Sequence, residues 1–178
     1  MEFAGKKVLV FGTGISGIAA AKLLENVGAA VILFDGNREL DKKHVLENFE
    51  ADHMPELYVG ELPEKIRAGL DLVVLSPGVP TDLPFVNELR DEGLPIWGEI
   101  ELAYRCKKGD VLAITGTNGK TTTTALLGEI MKTTYPHVHV VGNIGIPYTG
   151  LVAEDTDDTV TVAEISSFQL ETIDTFCP

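Results

Sequence analysis

Short apolar runs alternate with amphipathic stretches along most of the chain. Lys7-Val-Leu-Val-Phe-Gly12 is an unbroken apolar run bounded by charge and glycine, the mark of a strand buried on both faces. Apolar residues then recur at helical spacing from Ser16 to Val27, until Gly28 stops the helix. Ala30-Val-Ile-Leu-Phe34 reads as a second buried strand closed by Asp35, and Asp71-Leu-Val-Val-Leu75 as another. Between them the pattern predicts a surface helix near Lys43–Phe49, a minor strand at Leu57–Val59, and a helix over Glu64–Ala68 with Pro63 in its first turn. Phe85–Glu92 reads as a helix and Pro95–Trp97 as a further strand. A helix is expected from Glu99 towards Lys107, then a strand at Val111–Ile114, a helix after Lys120, and strands at Val138–Val141 and Thr159–Ala163.

This βαβ alternation predicts an α/β protein: a Rossmann-like parallel-sheet domain over residues 1–95, followed by the beginning of a P-loop-type α/β domain over residues 96–178. Gly93, Pro95 and Gly98 suit a hinge between the two. Only three strands fit into the second unit. The expectation is therefore an incomplete domain whose sheet is covered on one face at best, exposing apolar surface and a strand edge that favour self-association.

Composition narrows the classes. A hydrophobic fraction of 44% and a charged fraction of 23% are those of a soluble globular chain. A net charge of −13 argues against a nucleic-acid or anionic-membrane partner, so a phosphate ligand must be held by local donors. No charged-then-apolar leader and no run of membrane-span length stands in the sequence. Cys106 and Cys177 are too few for a disulfide framework or metal site and read as small, at least half-buried apolar residues. His137 and His139 alternate as on a strand edge, and His44 and His53 have no ligand spacing. Together these point to a reduced, cytoplasmic protein.

Two glycine-bearing loops carry the chemistry. Gly116-Thr117-Asn118-Gly119-Lys120-Thr121-Thr122 follows an apolar strand and opens a helix. Its glycines let backbone N–H groups close around phosphate oxygens, Lys120 adds a point charge, and the Thr121 hydroxyl suits Mg²⁺. Ile114 stands where the full P-loop pattern has its first glycine, so the loop is a compact variant. Glu164 ends an apolar strand, where a second Mg²⁺-associated carboxylate belongs, with a solvated strand-end acid as the alternative. Ser166, Ser167, Gln169 and Asn143 offer neutral hydrogen bonds at strand ends.

Gly12-Thr13-Gly14-Ile15-Ser16-Gly17 is the second loop, at the first strand-to-helix turn, with Asp35 eighteen residues beyond Gly17. That spacing fits an NAD site, but a helix N-terminus recognises any nucleotide diphosphate equally well. Ser76-Pro77-Gly78-Val79-Pro80 belongs to the same rim of the sheet, as a ligand loop or a rigid turn. An NAD(P)-binding oxidoreductase-like domain and a non-catalytic nucleotide-binding module both remain open on this pattern alone.

Gly116-Thr-Asn-Gly-Lys-Thr121, Gly142-Asn-Ile-Gly145, Ser76-Pro-Gly78 and Glu164-Ile-Ser-Ser-Phe-Gln-Leu-Glu171 together resemble the Mur ligase family, in order and over the whole chain. The last run looks specifically like the branch that adds D-glutamate. The resemblance implies ATP-dependent joining of D-glutamate to UDP-N-acetylmuramoyl-L-alanine in cytoplasmic peptidoglycan synthesis, through an acyl phosphate and with Mg²⁺. It assigns ATP to Gly116–Thr122, catalysis to Lys120 and Glu164, and the metal to Thr121 and Glu164. It assigns the UDP-substrate to Gly14, Ile15, Ser16, Asp35, Gly78, Asn143, Ser166 and Gln169, and so a UDP site rather than NAD to the first loop. Gly36-Asn37-Arg38 departs from the Thr-Arg that follows the acid in some members. The family's third domain, with the D-glutamate pocket, has no counterpart in this sequence. The resemblance thus implies an N-terminal fragment, inactive alone.

Overall fold

The computed structural model describes residues 3–143 and 145–178. It divides into two compact units, Met1–Trp97 and Gly98–Pro178. Ile144, within the Gly142-Asn-Ile-Gly145 motif, lies outside the described residues.

The first unit is built on a parallel sheet of β1 (Lys7–Phe11), β2 (Ala30–Asp35), β3 (Glu56–Val59), β4 (Leu72–Leu75) and β5 (Ile96–Gly98), in the order β3-β2-β1-β4-β5. The apolar runs of β1 and β4 are buried almost throughout, as strands covered on both faces must be. On one face Leu9 and Phe11 of β1 and Val73 and Leu75 of β4 join Ile32, Phe34, Val86 and Leu89 in one core. Each such residue stabilises the fold by about 1.5–3 kcal/mol relative to exposure. Helix α1 (Ile15–Asn26) packs on β1 and β2. The surface helix is α2 at Lys42–Leu46, which ends earlier than the pattern predicts; Asp41 fixes its start by accepting from the Lys43 N–H at 2.9 Å. Helices α3 (Glu64–Arg67) and α4 (Pro84–Asp91) follow, with Pro63 just before the first helical residue rather than inside the turn. Strand order reverses at β1, whose neighbours are β2 and β4. The loops leaving β1 and β4 therefore turn to opposite sides and open a crevice between them.

The second unit contains α5 (Glu99–Cys106), β6 (Asp110–Ile114), α6 (Lys120–Lys132), β7 (His137–Gly142) and β8 (Thr159–Glu164), with 3-10 turns at Tyr148–Gly150, Val152–Glu154 and Phe168–Thr172. Its parallel sheet has the order β6-β8-β7. Every residue of the central strand β8 is buried. The expectation of one-sided cover is thus corrected. Val140 faces α6, where a side chain at Gly128 would meet it. His139, on the other face, bonds Asp155 through Nδ1 at 3.0 Å. The segment after β7, folded into short turns, covers the second face. Burial raises the Asp155 carboxyl above its ordinary range, and His139 draws it back. Exposed apolar surface is found on the outer side of α6, at Leu126 and Ile130. Cys106 is half-buried and Cys177 exposed, so the expected burial fails for Cys177. Among the described residues no helix is long and apolar enough to cross a membrane, and no side-chain cluster could hold a metal by His, Cys and carboxylates alone.

Helix α5 anchors the end of this unit through a fully buried acid. Glu101 accepts from the backbone N–H groups of Asp174 and Phe176, both at 2.9 Å, from that of Thr175 at 3.0 Å, and from the Thr175 hydroxyl at 2.6 Å. Arg105 Nε adds a charged donor at 2.9 Å. Burial alone would raise the Glu101 carboxyl, but the donors, led by the Thr175 hydroxyl, outweigh it and hold the group down at about 2. The clasp strengthens as the acid ionises. Its contribution to stability is complete above the ordinary carboxyl range and fades as pH falls from about 4.5 towards 2. Chemical denaturation of Glu101→Gln at pH 7 is expected to show a loss of roughly 2–3 kcal/mol in the second unit. The difference from the parent chain should shrink as pH is lowered through that window, and a pH-independent difference contradicts the assignment.

Candidate nucleotide sites at the two strand rims

In the first unit the crevice at the β1–β4 reversal is a cleft of about 430 Å³. Gly12 to Ser16, Asp35 and Ser76 to Val79 line it, so the structure brings the expected Gly14, Ile15, Ser16, Asp35 and Gly78 to one place. The in-register pairing of Phe11 with Phe34 sets the loop beside the end of β2. Gly17 is required by packing: a side chain there would strike the Gly12 carbonyl. Ser76 Oγ donates to that same carbonyl at 3.2 Å and ties the two rim loops together. Gly14 and Gly78 are different. Their backbone angles suit any residue and a side chain would meet nothing. Their bareness leaves main chain open to the cleft. Ile15 opens α1 with its side chain 77% exposed.

Asp35 does not point freely into this cleft. Its Oδ2 accepts from Thr13 twice, from Oγ1 at 2.7 Å and from the backbone N–H at 3.2 Å, while Oδ1 accepts from the Asn37 N–H at 2.9 Å. Sequence reasoning passed over Thr13. The available signal was a hydroxyl residue in the glycine-rich turn, two positions beyond a strand paired in register with the strand that ends at Asp35.

In the second unit β6 runs into the loop 115–119 and then α6. Gly116 and Gly119 have φ of 145° and 78°, conformations that side-chain-bearing residues rarely adopt. They turn the chain sharply enough for α6 to begin at Lys120 with its first N–H groups facing out of the helix end. Lys120 Nζ lies across the loop and donates to the Gly116 carbonyl at 2.8 Å. Thr117, Asn118, Thr121 and Thr122 are exposed around it. Farther along, Thr124 is buried and bonds back to the Lys120 carbonyl at 2.8 Å.

Glu164 ends β8 in register with Ile114 of β6 and Gly142 of β7. Gly142 allows the close pairing, since a side chain there would strike the Glu164 carbonyl. The acid is 2% exposed, which excludes the solvated strand-end alternative. Asn143 Nδ2 approaches its Oε1 at 3.4 Å, while Oε2 is buried with no partner among the described residues. A buried carboxylate oxygen without a donor is costly, and a cation is a chemically suitable partner for it. Ser166 and Gln169 close a corner on each other: Gln169 Oε1 accepts from the Ser166 N–H at 2.9 Å and from its hydroxyl at 3.0 Å. Phe168, between them, is 71% exposed.

Comparison with known proteins matches both units. Residues 6–98 match the model of the Mur ligase MurD-like N-terminal domain, and residues 114–177 that of the Mur ligase middle domain. Over all 178 residues the chain is 56% identical to the UDP-N-acetylmuramoylalanine--D-glutamate ligase of Lachnoclostridium phytofermentans. To the ligase of the same name from Lachnospira eligens it is 53% identical, again over 178 residues. It spans 39% of the length of each. A murein peptide ligase from Psychrobacter arcticus shares the fold at a TM-score of 0.53 and 21% identity, over 92% of this chain and 39% of that one. The chain belongs to the MurD-like Mur ligases.

Proposed function

We propose that this chain supplies the UDP-substrate and ATP sites of an ATP-dependent ligase that joins D-glutamate to UDP-N-acetylmuramoyl-L-alanine in peptidoglycan synthesis. The observation that carries the reading is Glu164, whose buried Oε2 lacks a partner among the described residues and whose strand pairs in register with the one feeding the Lys120 loop. Residues 1–95 form the UDP-substrate domain, with Gly14, Ile15, Ser16, Asp35 and Gly78 as its contacts. Residues 96–178 belong to the ATP domain. There Asn143, Ser166 and Gln169 face the muramoyl-alanine end of the substrate, and Gly116, Thr117, Asn118, Gly119, Lys120, Thr121 and Thr122 hold ATP. D-Glutamate has no pocket assigned on this chain.

In this reading the alanyl carboxylate attacks the γ-phosphorus of ATP, ADP leaves, and an acyl phosphate forms. The D-glutamate amine then attacks the acyl carbon, loses a proton, and releases phosphate as the amide forms. The loop amides and the α6 N-terminus hold the β-phosphate as charge develops on the leaving ADP. Lys120 exchanges the neutral Gly116 carbonyl for phosphate oxygens and offsets their repulsion of the incoming carboxylate. Glu164 and the Thr121 hydroxyl are the oxygen donors that suit Mg²⁺, which when bound neutralises phosphate charge. No side chain acts as a nucleophile.

Calorimetric titration of the purified chain with ATP tests the assignments. Lys120→Ala is expected to weaken ATP binding by about tenfold or more, the loss of a charged hydrogen bond. Glu164→Gln should abolish the gain in ATP affinity produced by Mg²⁺ while leaving metal-free binding near that of the parent chain. Equal Mg²⁺ dependence in both proteins contradicts the metal assignment. Phosphate release that depends on D-glutamate is not expected from the chain alone, and its appearance would overturn the division of sites.

A further inference from the structure

On the covered face of the second sheet, Tyr148 Oη, Thr161 Oγ1 and Asp155 Oδ2 are buried without a hydrogen-bond partner among the described residues. They come from different elements. Thr161 stands in β8 beside His139 of β7, Tyr148 opens the first 3-10 turn after β7, and Asp155 follows the second. Tyr148 and Thr161 are completely buried and Asp155 nearly so. The other Asp155 oxygen, Oδ1, bonds His139 Nδ1 at 3.0 Å, which brings the carboxylate to the side of the sheet that carries Thr161. Burial first, then the Asp155 charge, push the Tyr148 phenol up, while the Thr161 hydroxyl draws it down, so the phenol lies near both. Yet none of the three oxygens bonds another. Two hydroxyls and a carboxylate oxygen left bare in an interior are costly. A gap just beyond bonding reach between buried polar groups is where a water molecule fits.

We propose that the second unit encloses a structural water molecule held by Tyr148 Oη, Thr161 Oγ1 and Asp155 Oδ2. The donors and acceptors balance: both hydroxyls donate to the water, and the water donates to Oδ2. All three atoms are then satisfied, and three hydrogen bonds are typical of an internal water. Together with the His139–Asp155 bond, the water completes a polar network that joins β7, β8 and the short turns covering them. His139 and Thr161 pair three residues before the rim at which Gly142 pairs with Glu164. A one-residue slip of β7 would carry His139 to the α6 face and break the network. The water therefore also helps to fix the register that places Glu164.

A crystal structure of the purified chain reads the site directly, and a water within about 3 Å of all three oxygens is expected. An empty site overturns the inference, as does a direct bond from Tyr148 to Thr161 or Asp155 that leaves no room for water. The stability of the second unit, read from hydrogen exchange of the β8 amides, is a second test whose sign separates the two cases. With the water in place, Tyr148→Phe and Thr161→Val each lower the folding equilibrium constant about fivefold, the loss of one neutral hydrogen bond. The double variant then loses less than the product of the two, because both substitutions sever the same water. Removal of a hydroxyl that bonds nothing leaves stability unchanged or raises it. That result, or fully independent effects in the double variant, overturns the inference. Where a variant fails to fold by circular dichroism, the crystal structure of the parent chain decides.

Discussion

Strand β8 is held between β6 and β7 in a register that sets Ile114, Glu164 and Gly142 side by side at one rim of the sheet. That register is fixed from several directions. The Ile165 N–H continues the ladder to the Ile114 carbonyl at 2.9 Å, and the Asn143 N–H does the same to the Glu164 carbonyl at 2.9 Å. Burial of β8 on both faces forbids a one-residue slip, which would exchange every side chain between them. Gly142 permits the strands to close at the rim, because any side chain there would strike the backbone of Glu164. The consequence is chemical. An acid that would prefer water is carried into the interior where the loop 115–119 leaves the sheet, and its Oε2, without a partner among the described residues, is chemically suited to a cation.

The first unit uses the same physics with a different outcome. There, too, parallel strands end in register and place a glycine turn beside an acid. In the second unit the acid keeps an oxygen with no partner among the described residues, whereas in the first Thr13 and Asn37 take most of its capacity. How much acceptor capacity a strand-end carboxylate keeps for a ligand depends on how many donors its own chain presents. The Glu101 clasp is the limiting case: its donors are supplied entirely by protein, and the acid is structural.

Much of this was legible in the sequence because the apolar runs are short, continuous and separated by glycine, proline or charge. The strands and both phosphate-type loops could be placed from those signals, since buried parallel strands tolerate little else. The cover over the second sheet was not legible. Tyr148–Gly150 and Val152–Glu154 are single 3-10 turns, too short to leave a periodic signature, yet with Asp155 they cover a face of the sheet that was expected to stay bare. Thr13 and Glu101 were missed for a related reason. Their partners stand 22 and more than 70 residues away, and no local pattern records a hydrogen bond closed by tertiary structure.

The central claim is that each unit carries its own nucleotide-phosphate site, one for a uridine diphosphate substrate and one for ATP. Calorimetric titration of UDP into the chain already saturated with ATP and Mg²⁺ tests it most directly. The account predicts one UDP site per chain, with an affinity unchanged by the ATP present. Competition between the two nucleotides for a single site, or binding of neither, would contradict it.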